Sequence, residues 1–260
     1  MGLNIISRGS GPPLVLLHGW GFNAAVWDPL LPRLTPHFTT LAVDLPGYGL
    51  SAAPDKVPVS LENLSEAVID QVPAGANWLG WSFGGLMALS AAMHRPERIR
   101  RLALISVTPC FIWSFTWPCG LAEAELKTLR AHLLRSPVST LRHFAGLCAA
   151  GGDQIRRVTR QPRECLEHGP EPDPRTLLEG LDILAETDLR ARLYELKCPS
   201  LWIFGAADRL VSCRTAEAIA GLLPSARTSI IPGAAHAPFL SHPDECTGRI
   251  LDFLHERTQR

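Results

Sequence analysis

Residues 80–85 read Gly-Trp-Ser-Phe-Gly-Gly, directly after the short apolar run Asn77–Leu79 and directly before the helical spacing of Leu86–Met93. A G-x-S-x-G motif between a strand and a helix predicts a tight turn that strains the backbone of its serine and exposes the hydroxyl. Glycines are needed there because side chains would collide with the neighbouring strand and helix. Ser82 is therefore the candidate nucleophile, and an ordinary glycine-rich turn is the alternative.

Short apolar runs recur on both sides of this motif, separated by helical patterns such as Ser60–Val72. Continuous apolar runs of this length predict buried strands of a parallel sheet that is covered by helices on both faces. The other predicted strands are Leu14–Leu17, Thr40–Val43, Leu102–Val107, Leu201–Phe204 and Thr228–Ile231. The predicted fold class is α/β, with a mostly parallel, twisted sheet.

The pattern changes between residues 111 and 186, where strand-like runs give way to leucines at helical spacing. Ser136-Pro137 and Asp173-Pro174 each resemble an N-cap followed by proline at the first helical position. We expect residues 111–186 to form a helical lid insertion that divides the core into residues 1–110 and 187–260.

A serine hydroxyl is too weak to attack alone and needs a general base. His236 follows the predicted strand Thr228–Ile231 in a loop of small residues, which would let its imidazole reach the serine. His242 and His255 fit the last helix better. His236 is therefore the candidate base, and a structural loop histidine is the alternative.

The acid that orients such a base should follow an earlier strand. Asp208 lies just beyond Leu201–Phe204, at the carboxyl end of that predicted strand. Asp182 and Asp188 are weaker rivals. Asp208 is the candidate acid, and a carboxylate that only caps a turn is the alternative.

An oxyanion needs preorganised donors. We expect one to be the backbone N–H of Phe83, the residue after the candidate nucleophile, and the other to be that of Trp20, in the turn that follows His18. An apolar wall near Ser82 is also expected, and its candidates are Trp20, Trp81, Phe83, Phe111 and Phe144; plain core packing is the alternative.

Composition and the absence of certain motifs limit the expected partners, cofactors and location. The chain has 260 residues, 46% of them hydrophobic and 19% charged, with zero net charge, so neither nucleic acid nor membrane is an expected partner. Metal-ligand spacing and a phosphate-cradling loop are both absent from the sequence, so no metal or cofactor is expected. Seven cysteines without a C-x-x-C pair, and no signal-peptide pattern, predict reduced thiols in a cytoplasmic protein, which we expect to be a monomer.

The stretch Leu126–Arg163 is strongly basic, with eight Lys and Arg residues against one acid, Asp153. Arg156, Arg160 and Arg163 stand at i, i+4 and i+7, on one helical face. Such a surface attracts an acidic partner. A solvated face balanced by acids elsewhere is the alternative.

Several of these motifs together resemble the α/β-hydrolase superfamily: His18-Gly19, the turn Asp44–Ser51, the Ser82 motif, Asp208 and His236. The turn alone is interpreted as structural. A closer resemblance is to the pimeloyl-[acyl-carrier protein] methyl ester esterases of biotin synthesis. The stretches that carry it are Leu16–Gly21, Val43–Gly47, Trp78–Ser82, Pro109–Phe111, Gly180–Leu184, Thr187–Arg190 and Ala234–Phe239.

That resemblance implies cleavage of the methyl ester of pimeloyl bound to acyl-carrier protein, which frees the carboxylate and methanol. It also implies that Arg156 and Arg160 engage the acidic carrier and its phosphopantetheine arm. Ser139 stands where the family can have another basic residue, so one contact is expected to be lost or moved to Arg142.

Three other functions stay open from the residues alone: a general short-chain carboxylesterase without a protein partner, a carbon–carbon bond hydrolase on the same triad, and a non-catalytic binding protein of this fold. An intact set of Ser82, Asp208 and His236 argues against the last. Activity on a short-acyl p-nitrophenyl ester would separate an esterase from a binding protein.

Overall fold

The computed structural model describes residues 2–53, 59–170 and 172–256, and a seven-stranded sheet forms the centre of this part of the chain. The strands are β1 (Ile5–Arg8), β2 (Pro13–Leu17), β3 (Thr39–Val43), β4 (Ala76–Trp81), β5 (Ile99–Ile105), β6 (Ser200–Gly205) and β7 (Arg227–Ile231). Their order is β1-β3-β2-β4-β5-β6-β7, and all pairs are parallel except β1 with β3. This is the predicted α/β architecture.

The six runs predicted as strands all lie in the parallel part of the sheet. Strands β4 and β6 are buried along their whole length, which is why they read as continuous apolar runs rather than alternating ones. Strand β1 was not predicted. It has only two apolar residues, Ile5 and Ile6, and it is an antiparallel edge strand whose second half is exposed.

Ten α-helices accompany the sheet in the described residues. They are α1 (Leu31–Leu34), α2 (Leu61–Ile69), α3 (Ser82–His94), α4 (Glu123–Arg135), α5 (Pro137–Ala149), α6 (Ile155–His168), α7 (Pro174–Glu186), α8 (Thr215–Leu222), α9 (Pro238–Ser241) and α10 (Pro243–His255). Helix α3 contacts β4 and β5, α10 contacts β6, and α8 contacts β7. Among the helices described, none has the length and apolar character to cross a bilayer.

Helices α4 to α7 lie between β5 and β6 in the chain and pack mainly on one another. Both predicted helix starts are present. Helix α7 begins at Pro174 with the Asp173 carboxylate accepting the Arg175 N–H at 2.9 Å, whereas α5 begins at Pro137 without a side-chain cap. We propose residues 111–186 as the bounds of this helical lid.

The turn Asp44–Ser51 is held together by the Asp44 carboxylate. Its Oδ1 accepts the Ala24 N–H at 2.7 Å. Its Oδ2 accepts the Leu50 N–H at 2.9 Å and the side-chain amide N–H of Asn4 at 2.8 Å. These three bonds close the turn on itself at Leu50 and link it to the segments that contain Ala24 and Asn4. The turn is therefore structural, as its sequence suggested.

Candidate active site

Ser82 stands at the junction of β4 and α3, with a backbone φ of 52° that non-glycine residues rarely adopt. The glycines around it permit this turn. A Cβ on Gly80 would collide with the backbone of Gly85, and one on Gly84 would collide with the carbonyl of His18 at the end of the neighbouring strand. The local sequence thus forces the strained serine turn that the motif predicted.

Ser82, His236 and Asp208 form one chain of hydrogen bonds. The Oγ of Ser82 lies 2.9 Å from Nε2 of His236, and Nδ1 of His236 lies 2.9 Å from Oδ2 of Asp208. All three residues are buried, with His236 only 1% exposed. The fold therefore brings together the three residues that were chosen separately from the sequence.

Asp208 is held in place by its other carboxylate oxygen. Its Oδ1 accepts the backbone N–H groups of Leu210 at 2.8 Å and Val211 at 3.0 Å, which leaves Oδ2 for His236. Hydrogen bonds that complete a buried carboxylate fix its orientation. The carboxylate can therefore hold the imidazole with the Nδ1–H towards itself and the free Nε2 lone pair towards Ser82.

The rival candidates have other partners. Asp182 pairs with Arg130 at 3.0 Å, and Asp188 pairs with Arg190 at 2.6 Å. His242 precedes α10 and contacts Ser241 through Nδ1, while the ring of His255 stacks on Phe38. None of these four side chains hydrogen-bonds to Ser82 among the described contacts.

The Trp20 and Phe83 amides lie at the same edge of the sheet as Ser82. Phe83 is in the first turn of α3, where N–H groups have no intrahelical acceptor. Trp20 is in the turn after β2, and β2 pairs with β4 through Leu17 and Gly80. We propose these two amides as the oxyanion hole for a substrate at Ser82.

The His18 side chain links the turn after β2 to the loop after β3. Its Nε2 accepts the Leu45 N–H at 3.0 Å, and its Nδ1 donates to the Gly19 carbonyl at 2.9 Å. Burial lowers the pKa of His18 to about 4, against the opposing effect of the Gly19 bond, so the ring is neutral near pH 7. A neutral imidazole is needed here, because the protonated form could not accept the Leu45 bond.

An apolar cavity opens onto Ser82 and His236. Trp20 forms part of its wall; the indole N–H donates to the Leu177 carbonyl at 2.9 Å, and the ring meets Phe144 edge to face at 4.9 Å. The remaining lining residues are Phe111, Leu121, Glu125, Leu126, Leu129, Phe144, Leu147, Leu181, Leu184 and Leu210. The wall can hold a methylene chain.

Two of the five predicted wall residues lie elsewhere, which corrects that prediction. The ring of Trp81 is wholly buried beneath the His236 loop, stacked on Phe22. The ring of Phe83 lines a separate narrow crevice beside Tyr48. Both follow from the turn at Ser82: when the serine faces the cavity, the side chains before and after it point into the core.

The sequence interpretation missed most of the cavity wall, including its carboxylate, Glu125. The leucine spacing of α4 and α7 predicts apolar helix faces, but it does not say what those faces cover. Glu125 is exposed. Among the described lining residues it is the only Asp, Glu, Lys or Arg.

The predicted lid arginines are all exposed. Arg142 lies on α5, and Arg156 and Arg160 lie on α6; the cavity wall includes none of them. Arg160 pairs with Glu164 at 2.8 Å, whereas Arg142 and Arg156 have no ion-pair partner among the described residues. Lys127 and Arg130 pair with Glu123 and Asp182, which lie outside the basic stretch Leu126–Arg163, so neighbouring acids balance part of its charge.

Cys148 is a second potential nucleophile near the site, but its thiol is unreactive. Cys148 is fully buried on α5, and burial together with the nearby Asp208 carboxylate raises the pKa of its thiol well above the usual value. Because the thiolate is the reactive form, Cys148 cannot compete with Ser82.

A mostly parallel sheet, a serine on a strained strand-to-helix turn and a buried Ser–His–Asp hydrogen-bond chain define the class of the α/β hydrolases. The chain belongs to the alpha/beta hydrolase family, whose model matches residues 14–249. Within it, the chain is 41% identical to the pimeloyl-[acyl-carrier protein] methyl ester esterase of Edwardsiella ictaluri, over 94% of both chains. It is also 41% identical to the protein of that name from Xanthomonas oryzae pv. oryzae, over 95% of this chain and 96% of the relative.

Among solved structures, the bromoperoxidase of Bacillus anthracis superposes with a TM-score of 0.88, covering 98% of this chain and 95% of its own, at 22% identity. At that identity the likeness shows the fold alone. The two esterase relatives carry the information on chemistry.

Proposed function

We propose that this protein hydrolyses the methyl ester of pimeloyl-[acyl-carrier protein], releasing methanol and a free carboxylate for biotin synthesis. The chain is a carboxylic ester hydrolase, in keeping with its esterase relatives. One observation carries the choice of reaction: the Oγ of Ser82, 2.9 Å from the imidazole of His236, lies at an apolar cavity that fits a methylene chain. Cytoplasmic location and a monomeric state remain part of the proposal.

In the first half of the reaction, Ser82 Oγ attacks the ester carbonyl while His236 Nε2 takes its proton. The Asp208 carboxylate stabilises the imidazolium that forms. The tetrahedral oxyanion is stabilised by the amides of Trp20 and Phe83. When it collapses, the methoxide takes the proton from His236 and leaves as methanol, and the acyl group stays on Ser82.

In the second half, water enters the position that methanol has left. His236 takes a proton from the water, which attacks the acyl carbonyl. Collapse of the second tetrahedral intermediate breaks the bond to Ser82 and returns the proton to its Oγ. Both halves use the same base and the same two amides, so a single site suffices.

The cavity explains how the substrate would be oriented. Its leucine and aromatic wall suits the methylene chain between the two carbonyl groups of a pimeloyl ester, with the methyl ester at Ser82 and the carrier outside. Glu125 contributes a carboxylate to the wall. A carrier-linked end of the chain is uncharged, which is compatible with this residue.

The exposed arginines are the proposed contact to the carrier. Arg142, Arg156 and Arg160 can each form paired hydrogen bonds with phosphate or carboxylate oxygens. Arg160 would have to release Glu164, and an exposed ion pair of this kind contributes little to stability because solvent screens it. Arg160 can therefore exchange Glu164 for a phosphate or carboxylate of the carrier at little cost in free energy.

A comparison of two substrates tests the proposal. Purified protein is given pimeloyl-[acyl-carrier protein] methyl ester or free dimethyl pimelate, and methanol release is followed. We expect kcat/KM on the carrier-bound ester to exceed that on the free ester by at least about 10-fold, the range that a few charged contacts supply. Equal values would favour a general short-chain carboxylesterase, and no hydrolysis of either ester would reject an esterase.

A further inference from the structure

The backbone of His236 is fixed on both sides by hydrogen bonds from other parts of the chain. Its N–H donates to the carbonyl of Cys148, in the last turn of α5, at 3.1 Å. Its carbonyl accepts the indole N–H of Trp81 at 2.8 Å. With the two ring nitrogens bonded to Ser82 and Asp208, every polar group of this residue has a partner.

The indole that donates to this carbonyl is packed on three sides. Its ring stacks on Phe22 at 5.1 Å and meets Phe239 edge to face at 5.2 Å. On another side it lies so near the backbone that a Cβ on Gly19 would come within 3.0 Å of the ring. Trp81 therefore presents its N–H at a fixed position, one residue before the candidate nucleophile.

The Trp81 indole is paired, whereas a second buried indole on the same strand is not. Trp78 lies on the same strand, three residues earlier, and is 1% exposed, yet its Nε1 has no hydrogen-bond partner among the described residues. Buried polar groups gain specificity when they are paired. Trp78 therefore offers a matched comparison, because its indole is buried on the same strand without such a bond.

The loop around His236 is also tied to the lid. Besides the Cys148 carbonyl, the lid contributes the Asp153 N–H, which donates to the carbonyl of Gly233 at 3.0 Å. The indole holds the loop from the sheet side, and α5 holds it from the lid side. The imidazole can then keep its place between Ser82 and Asp208 throughout a catalytic cycle in which it gains and loses a proton.

We propose that Trp81 is a positioning residue, whose indole N–H fixes the His236 carbonyl and thereby aligns the imidazole with Ser82. The proposal rests on the proposed roles of Ser82 and His236. A misplacement of about 1 Å in a reacting group can lower a rate about 100-fold. Loss of the indole N–H should accordingly lower kcat while leaving the cavity, and hence KM, nearly as they are.

The test compares Trp81→Phe with Trp78→Phe, which removes an equally buried indole from the same strand without breaking a hydrogen bond. Hydrolysis of p-nitrophenyl butyrate and the melting temperature are measured for both. We expect both variants to lower the melting temperature, but only Trp81→Phe to lower kcat, by about 10- to 100-fold, with KM within about twofold of the wild type. Equal kcat values for the two variants, or a change confined to KM, would overturn the proposal.

A second pair of variants removes the N–H alone. In 3-benzothienylalanine a sulfur atom replaces the indole N–H while the ring shape is kept, so its incorporation at position 81 or 78 removes the donor but keeps the packing that the phenylalanine variants lose. The expected result is the same selective loss of kcat at position 81; wild-type kcat there would refute the role. Ser82→Ala separates the two proposals: if that variant keeps its turnover, the proposed function fails, whatever Trp81 does.

Discussion

The Asp208 carboxylate divides its oxygens between two tasks: Oδ2 lies 2.9 Å from Nδ1 of His236, and Oδ1 accepts two backbone N–H groups of its own loop. The orientation of the acid is thus set before the imidazole binds it. An amide at this position could keep the loop bonds but would stabilise the wrong tautomer of the histidine.

Asp208→Asn should therefore lower kcat by about 10³- to 10⁴-fold with little loss of stability. The matched control is Asp188→Asn, which removes an exposed partner of Arg190. Steady-state hydrolysis of p-nitrophenyl butyrate and thermal unfolding decide the matter. If Asp188→Asn were the crippling change and Asp208→Asn the silent one, the acid would be misassigned.

The buried His18 should make stability depend on pH. Its pKa is about 4 in the folded protein and about 6.5 in an unfolded chain. Between these values the unfolded chain binds a proton that the folded protein does not, so the free energy of unfolding should fall as pH drops from about 6.5 to about 4, by up to about 3 kcal/mol. Well above pH 6.5 the ring is neutral in both states and contributes no slope.

Urea unfolding at pH 7 and pH 4.5 checks this, with His18→Gln as the comparison. The variant should be less stable at pH 7 but should lose less stability on acidification than the wild type. Lowered carboxylate pKa values, such as that of Asp188 beside Arg190, affect stability only at lower pH. Parallel losses in the two proteins would show that His18 does not control this pH range.

Glu125 should select against substrates with a free distal carboxylate. It is part of an otherwise apolar wall, and like charges in such surroundings repel. The wild type should prefer dimethyl pimelate to monomethyl pimelate, and Glu125→Gln should reduce that preference by about 3- to 10-fold.

The control for this change is Glu123→Gln, on the same helix, whose carboxylate is paired with Lys127 and does not line the cavity. The quantity to compare is the ratio of kcat/KM for the two esters. A ratio that stays the same in Glu125→Gln, or that moves equally in both variants, would show that Glu125 does not set this preference.

Charge reversal on the lid should separate the two kinds of substrate. Arg156→Glu combined with Arg160→Glu should lower kcat/KM on the carrier-bound ester by about 100-fold or more, yet change hydrolysis of dimethyl pimelate less than threefold, because charge pairs at a docking surface contribute mainly to association. The wild-type rate on the carrier-bound ester should also fall with added salt, as exposed charges are screened.

A second double reversal tests for effects of net charge. Arg33→Glu with Arg95→Glu changes the charge equally. It replaces surface arginines outside the lid, which pair with Asp244 and Glu66. It should leave the carrier-bound rate near that of the wild type. Equal losses on both substrates in the lid variant would indicate a damaged lid rather than a lost contact.

The sequence predicted most of the sheet, because buried parallel strands are continuous apolar runs bounded by turn residues. It also predicted which polar residues meet. Ser82, Asp208 and His236 each follow a strand of one parallel sheet, and the carboxyl ends of parallel strands share an edge. Residues far apart in the chain could therefore be grouped without knowledge of any distance.

What the sequence left open depends on side-chain direction and tertiary packing. Trp81 and Phe83 adjoin the nucleophile in the chain, but the turn points their rings into the core. Glu125 reaches the cavity only because α4 packs over the site. The pairing of Arg160 with Glu164 was readable at i,i+4, whereas that of Arg130 with Asp182 spans two helices and was not.

The central claim is that Ser82 carries the acyl group of a carrier-bound methyl ester. Methanol release from pimeloyl-[acyl-carrier protein] methyl ester by the wild type and by Ser82→Ala tests it most directly, with circular dichroism to show that the variant is folded. We predict release by the wild type and a loss of at least about 10³-fold in the variant, since the members of a triad act as a unit. Comparable methanol release by folded Ser82→Ala would contradict the account.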